Sequence, residues 1–275
     1  MLIAQLTDLH IKAGGKTAYA GKVDTFAKLE RAVAHLNGMR PQPDVVLITG
    51  DIGDFGLEAE YRQARLALDG LQMPFYLVPG NHDERGELRK AFPDHDYLFR
   101  HNSHLSYTID DFPVRLVGLD TSVPGKPYGL IEAERREWLD AALREKPQQR
   151  SLLFMHHPPV AVGLNHMDVQ RLNGAGELAR VLNQHRQVEL ILCGHLHRPV
   201  EFIWCGRPVY VGSAHNHAVT LDLNPKAPPS FTLEAAMIRL LYLHPQSGII
   251  VSHQSHVDAC DGPHPFFDQH GRLID

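Results

Sequence analysis

Cysteine is scarce: Cys193, Cys205 and Cys260 are the only three, odd in number and widely spaced in a chain of 275 residues. They suggest neither a disulfide framework nor a CxxC zinc site, and they fit a reducing, cytoplasmic setting. Long apolar runs are missing as well. No stretch approaches the roughly 18 residues needed to cross a bilayer as a helix, so no membrane partner is expected. Residues Met1 to Asp8 carry neither a basic leader nor an extended apolar segment, and they read as a strand rather than a signal peptide. Excess positive charge is also absent. A formal net charge of −5 argues against a non-specific nucleic-acid or anionic-surface binder, which would carry a basic patch. The hydrophobic fraction of 43% and charged fraction of 21% then leave an ordinary globular chain, long enough for a sizeable core.

Histidine is in surplus, with 19 residues. His35 and His185 fall in helix-like stretches and are expected on the surface. His244, His253, His256, His264 and His270 lie in a tail punctuated by proline and glycine. The informative histidines are those whose neighbours recur in a pattern.

Short apolar runs alternate with helix-period segments. Leu2 to Leu6, Val45 to Ile48, Phe75 to Val78, Leu152 to Met155 and Leu190 to Cys193 are continuous rather than alternating, which suits strands covered on both faces. Phe26, Leu29, Val33 and Leu36 mark one helical face, with Asp24 or Thr25 as its N-cap. Further helices are expected over Glu58 to Leu68, Glu132 to Glu145 and near Glu177 to Gln184. The βαβα alternation predicts a largely parallel sheet. Beyond about residue 198, strand-like runs succeed one another without helices: Val200 to Trp204, Pro208 to Val211, Ala218 to Leu223, Met237 to Leu243 and Ile249 to Ser252. These should pair antiparallel and form or complete a second sheet. Asn224 to Ser230, with three prolines, reads as a loop or local boundary.

The residues at the end of each early run carry the chemistry. The first run ends in Thr7-Asp8-Leu9-His10, the second in Thr49-Gly50-Asp51, the third in Pro79-Gly80-Asn81-His82-Asp83. The fourth ends in His156-His157-Pro158-Pro159 and the fifth in Gly194-His195-Leu196-His197. Ligands of parallel α/β sheets collect outside the carboxyl ends of the strands, so these side chains should share one edge. An aspartate at a strand end often merely caps the next helix, and an isolated His-Pro is usually a turn. That explanation serves Asp8 or Asp51 alone but not the whole set.

Asp8-Leu9-His10, Gly50-Asp51, Gly80-Asn81-His82-Asp83, His156 and Gly194-His195-Leu196-His197, in this order, resemble the calcineurin-like metallophosphoesterases. The family pattern runs D-x-H, G-D, G-N-H-[DE], a histidine after a strand, and G-H-x-H, with no metal-binding position substituted here. The resemblance implies a four-layer α/β/β/α sandwich with a β-rich C-terminal part. It divides the chain into a catalytic domain over 1–222 and an extension over 223–275 that completes the second sheet and caps the site or mediates self-association. Within the family, Met155-His156-His157-Pro158-Pro159 and Met167-Asp168 before Asn173-Gly174 are most like bacterial class III cyclic-nucleotide phosphodiesterases and related glycerophosphodiesterases.

Carried over by position, the resemblance implies two divalent ions. Asp8, His10, Asp51 and His197 would hold one; Asp51, Asn81, His156 and His195 would hold the other, with Asp51 shared. Mixed imidazole and carboxylate donors suit manganese, iron, zinc or cobalt. Two such ions outweigh two carboxylates, so the centre stays positive and attracts a phosphate ester despite the acidic chain. His82 is the candidate general acid, Asp83 could orient it or cap the next helix, and His215 is the candidate pocket-lining histidine beyond the ligands. Tyr19, Asn165, His166 and Met167 are further candidates to shape the pocket.

The activity implied is hydrolysis of small phosphodiesters, 3',5'-cyclic nucleotides or glycerophosphodiesters, by hydroxide generated at the metals. A phosphomonoesterase of the same family would meet a dianion, and no arginine-rich segment lies beyond the motifs. A nuclease would need a basic groove, and the Lys and Arg residues are scattered. A non-catalytic scaffold on this fold would be expected to have lost ligands. A homodimer or larger homo-oligomer is expected by likeness to related enzymes.

Overall fold

The computed structural model describes residues 1–274; residue 275, last of the expected extension, lies outside the described residues. The alternation of strands and helices produces the parallel pairing it predicts, but divides it between two sheets where one largely parallel sheet was expected. β1 (Leu2–Leu6), β2 (Val45–Thr49) and β3 (Phe75–Val78) run parallel, joined by α1 (Thr25–Gly38) and α2 (Glu58–Leu68). Asp24 caps α1, accepting from the Ala27 N–H at 3.0 Å. After α3 (Arg85–Ala91) the chain enters a second sheet through β4 (Tyr107–Ile109) and β5 (Arg115–Leu119). Then come β6 (Gly129–Leu130), α4 (Ala133–Glu145), β7 (Ser151–Met155), α5 (Asn165–Asp168), β8 (Leu172–Asn173) and α6 (Ala175–Asn183). β9 (Val188–Cys193), β10 (Val200–Trp204) and β11 (Arg207–Val211) complete that sheet in the order β10-β11-β9-β7-β5-β4. β12 (Ala218–Val219) and β13 (Phe231–Thr232) form a separate ribbon.

The last hairpin corrects an expectation. β14 (Met237–Leu243) and β15 (Ile250–His256) pair antiparallel, as predicted, but β14 lies against β1, so the first sheet runs β15-β14-β1-β2-β3. The segment from residue 223 therefore extends the first sheet and not the second. Every residue of β1 is buried, and such a strand cannot stand as a solvent-facing edge.

Side-chain alternation explains why the central runs are continuously apolar. Leu152 and Phe154 of β7, with Leu190 and Leu192 of β9, share a core with the first sheet. Their neighbours Leu153, Met155, Ile191 and Cys193 turn the other way, toward Leu139 and Leu143 of α4 and Leu178 and Leu182 of α6. Two sheets face one another with helices outside, the four-layer sandwich. His185, expected on the surface, is instead buried with Nε2 2.7 Å from Asp140. All three cysteines are free, and no helix among the described residues is long and apolar enough to cross a membrane.

Candidate metal centre

The strand ends turn abruptly, and the backbone shows the cost. Asp8, His10, Asp51, His195 and His197, five of the seven candidate ligands, hold left-handed φ between 46° and 74°. Non-glycine residues adopt that region rarely and at a cost of about 1–3 kcal/mol each, and such strain gathers at functional sites. Glycine serves close approach beside them. A Cβ on Gly194 would collide with the Thr7 hydroxyl and sit 2.5 Å from the Thr49 carbonyl oxygen.

Asp8, His10, Asp51 and His197 bring one donor atom each within 4.8 Å of the others. His10 Nε2 faces His197 Nε2 at 3.1 Å, and His197 Nε2 is 3.4 Å from Asp8 Oδ1. On the other side of Asp51, Asn81 Oδ1 lies 3.1 Å from His156 Nε2 and 3.0 Å from His195 Nδ1. Asp51 Oδ2 stands between the two groups, 3.6 Å from His10 Nε2 and 3.4 Å from His156 Nε2. Imidazole nitrogens facing one another across such short gaps want a cation between them. His195 meets that gap with Nδ1, which lies 3.3 Å from His156 Nε2. The donor set fits two ions that share one carboxylate.

Electrostatics agree. Burial and the neighbouring Asp51 push Asp8 up to about 6, against the pull of His156. Burial opposes ionisation of Asp51 as well, but His156, His82 and His10 hold it well below the usual carboxylate range. Burial also disfavours the His156 imidazolium, yet Asp51 and Asp8 outweigh it and carry the group up to about 9. His195 is driven down to about 3 by burial and by His156, which leaves its lone pair free. At neutral pH a proton on His156 thus stands in for a metal ion and must leave when one binds. Burial of His10 is likewise outweighed by Asp54, Asp51 and Asp8, so that group is raised too. Loading the metal-free protein at pH 7 should therefore release at least about one proton per chain, and affinity should fall at least about tenfold per pH unit from pH 9 downwards. Calorimetry in two buffers of different ionisation enthalpy reads this; a release of zero would contradict it.

Around the candidate ligands the structure sorts the remaining candidates. His82 lines a cavity of about 320 Å³ together with His10, Asp51, Asn81, His195 and His197. Its backbone N–H donates to Asp51 Oδ1 at 2.9 Å, and its Nδ1 lies 2.7 Å from the Asp54 carbonyl oxygen. Asp83 neither orients that ring nor caps the next helix, whose N-cap is Glu84. Its carboxylate accepts from the N–H groups of Ile52, Gly53 and Gly80, joining the loops after β2 and β3. His215 is likewise displaced from the expected role: it is buried, with both ring nitrogens unpartnered, and does not line the cavity. His217 does, with Nε2 2.9 Å from His197 Nδ1 and 3.1 Å from Tyr19 Oη. Asn216 sets this by donating to the Asp8 and Leu9 carbonyls, which aims the next residue inward. Tyr19, His166 and Met167 also line the cavity, whereas Asn165 does not and donates to the Pro225 carbonyl.

Sequence reasoning missed Asp54. Its Oδ1 accepts from His10 Nδ1 at 2.9 Å, its Oδ2 pairs with Lys12, and its carbonyl holds His82. The one available signal was its place three residues after Asp51. A carboxylate behind a ligating histidine fixes the tautomer and raises donor strength. Asp54→Ala should weaken metal binding by about 10- to 100-fold in equilibrium dialysis with metal analysis; unchanged affinity would show the contact to be idle.

An α/β/β/α sandwich that presents paired carboxylate and histidine donors along one edge defines a metallophosphoesterase. The calcineurin-like phosphoesterase family profile matches residues 1–199, and the chain belongs to that family of metal-dependent hydrolases, which acts through a dinuclear centre. It is 41% identical over 276 residues to a probable glycerophosphodiester phosphodiesterase GpdQ from Arcobacter nitrofigilis, covering 100% of both chains. It is 34% identical over 221 residues to a cAMP/cGMP dual specificity phosphodiesterase from Mycobacterium tuberculosis, covering 78% of this chain and 67% of that one. Among solved structures, a dimetal phosphatase from Danio rerio superposes with a TM-score of 0.64 at 16% identity, over 94% of this chain and 96% of that one. That last likeness speaks to the fold.

Proposed function

We propose that the chain hydrolyses small phosphodiesters, 3',5'-cyclic nucleotides or glycerophosphodiesters, using two ions drawn from manganese, iron, zinc and cobalt. Asp8, His10, Asp51 and His197 would hold one ion, and Asp51, Asn81, His156 and His195 the other. The observation that carries this reading is the position of Asp51, whose carboxylate meets both donor groups. Bound there, the ions supply Lewis acidity toward the phosphoryl oxygens and an activated water. Asp51 Oδ1 fixes the His82 backbone, and the Asp54 carbonyl accepts a hydrogen bond from Nδ1–H. In its imidazolium form His82 then also carries a proton on Nε2, which it can pass to the leaving oxygen while it returns to neutral imidazole.

A monoanionic diester suits the walls better than a dianion. No arginine or lysine is among the residues that line the cavity, so no side-chain clamp waits for a second phosphate charge. The names of the two curated relatives point the same way. Phosphorus NMR on the metal-loaded protein should show glycerophosphodiesters or cyclic nucleotides converted to monoesters that then persist. Further breakdown to inorganic phosphate at a comparable rate would replace this reading with a monoesterase.

Residues 1–222 are proposed as the catalytic unit, with 223–275 as an extension that borders the cavity through Pro229, Ser230 and Phe231. A cytoplasmic enzyme that self-associates fits the free thiols and the exposed Phe266, Phe267 and Leu273 of the C-terminal segment. Light scattering should then read a dimer or larger, and a monomer at all concentrations would exclude it.

A further inference from the structure

The cavity has an aromatic wall that the metal chemistry does not use. Phe231 of β13 is held in register opposite Val219 of β12, and both side chains line the cavity. The Phe231 ring lies 4.4 Å from the Tyr19 ring at an interplanar angle of 34°, and both rings adjoin His217, at centroid distances of 5.6 and 4.8 Å. The wall therefore runs outward from His217, which touches the ligand His197. Tyr19 is fixed there at a backbone cost: it holds φ 51° in a loop closed by mutual Ala18 and Val23 hydrogen bonds, and its hydroxyl is tied to His217. Rings this well anchored offer a face, and do not merely fill space.

The rest of the lining tells what the face would receive. Met167, Val219 and Pro229 add apolar surface. Gln170 donates its Nε2 to the His166 carbonyl at 2.8 Å, which leaves its amide oxygen available to a polar edge. Among the residues described at the cavity, the one carboxylate is Asp51, already engaged by the ligand set. A positively charged arm would find an aromatic face but no counter-charge, beside a centre that is itself positive. A flexible polyol arm would leave the apolar surface unused.

We infer that Phe231, with Tyr19 beside it, is the specificity surface for one ester arm, and that the preferred arm is a flat, uncharged aromatic or heteroaromatic group such as a nucleobase. This rests on the phosphodiesterase reading above and selects between its two substrate classes. Binding of product-like monoesters tests it without turnover.

Adenosine 5'-monophosphate, glycerol 3-phosphate and phosphocholine share a phosphate monoester head and differ in the arm. Titrated calorimetrically into the manganese-loaded protein, adenosine monophosphate should bind about tenfold tighter than the other two. Phe231→Ala should remove that advantage, and Phe231→Leu, which keeps apolar bulk without a ring face, should remove most of it. Glycerol 3-phosphate should change by less than about twofold in both variants, since its arm makes no use of the ring. Phe231 is partly exposed, so neither variant empties the core. Equal binding of the three ligands, a preference for phosphocholine, or a uniform loss in Phe231→Ala would each overturn the inference. Absence of diester turnover in the wild type would sink the phosphodiesterase reading while leaving this binding order to be read on its own.

Discussion

Asp51→Ala should lower kcat/KM on any phosphodiester by at least about 10³-fold, since losing several kcal/mol of transition-state charge stabilisation costs tenfold per 1.36 kcal/mol. It should also leave the chain unable to hold a pair of ions. Among the described residues Asp51 is the side chain that reaches both donor groups: Oδ2 lies 3.6 Å from His10 Nε2 and 3.4 Å from His156 Nε2. The same carboxylate accepts the His82 N–H at 2.9 Å, so its removal also frees the backbone of the proposed proton donor. Asp51→Asn separates these contributions. The amide oxygen can still hold His82, but the negative charge is gone, and a shared ligand without charge is a poor bridge. Activity should therefore fall nearly as far in Asp51→Asn as in Asp51→Ala. Metal content by mass spectrometry should drop in parallel, while the thermal melt of the metal-free protein stays cooperative. An asparagine variant within about tenfold of wild type would refute the bridging role, because charge would then not matter.

His82→Ala should depend on the leaving group. General acid catalysis contributes about 10²–10⁴-fold where the departing alkoxide is basic, and little where a stable phenolate leaves unaided. Losses of that size are expected on glycerophosphodiesters, with less than about a tenfold loss on bis(p-nitrophenyl) phosphate. The geometry supports the assignment. His82 is open to solvent at the cavity, and its Nδ1 is committed to the Asp54 carbonyl at 2.7 Å, so Nε2 is the ring nitrogen left for a proton transfer. Equal losses on both esters would mean that His82 binds phosphate and donates no proton to the leaving group.

The donor set was legible because it sits where β strands end. A parallel strand buried on both faces must be continuously apolar, so β1, β2, β3, β7 and β9 announce themselves and the polar residues just beyond them stand out. β5 gave no such signal. Arg115 opens it, and the charge hides a buried strand whose guanidinium donates to the Ala142 carbonyl and pairs with Glu145. The C-terminal hairpin was visible as strands, but its partner was not. Pairing β14 with β1 joins residues some 240 apart, and local pattern carries no information about such a partner. His215 and His217 fail for a finer reason. Both lie beyond a strand end, and only the Asn216 hydrogen bonds to Asp8 and Leu9 decide which of them faces the cavity. Asp83 and Asp54 part for a similar reason: the expected carboxylate is consumed by three backbone N–H groups, and the unforeseen one is left to face His10. The aromatic wall draws Tyr19 and Phe231 from opposite ends of the chain, so no motif could have named it.

Metal add-back tests the dinuclear phosphodiesterase most directly. Protein stripped of metal should be inactive, and manganese, cobalt or zinc should restore turnover as occupancy approaches two ions per chain. Bis(p-nitrophenyl) phosphate should then be cleaved with a clearly higher kcat/KM than p-nitrophenyl phosphate. Two bound ions with no turnover of either ester, or full activity in the stripped protein, would contradict it.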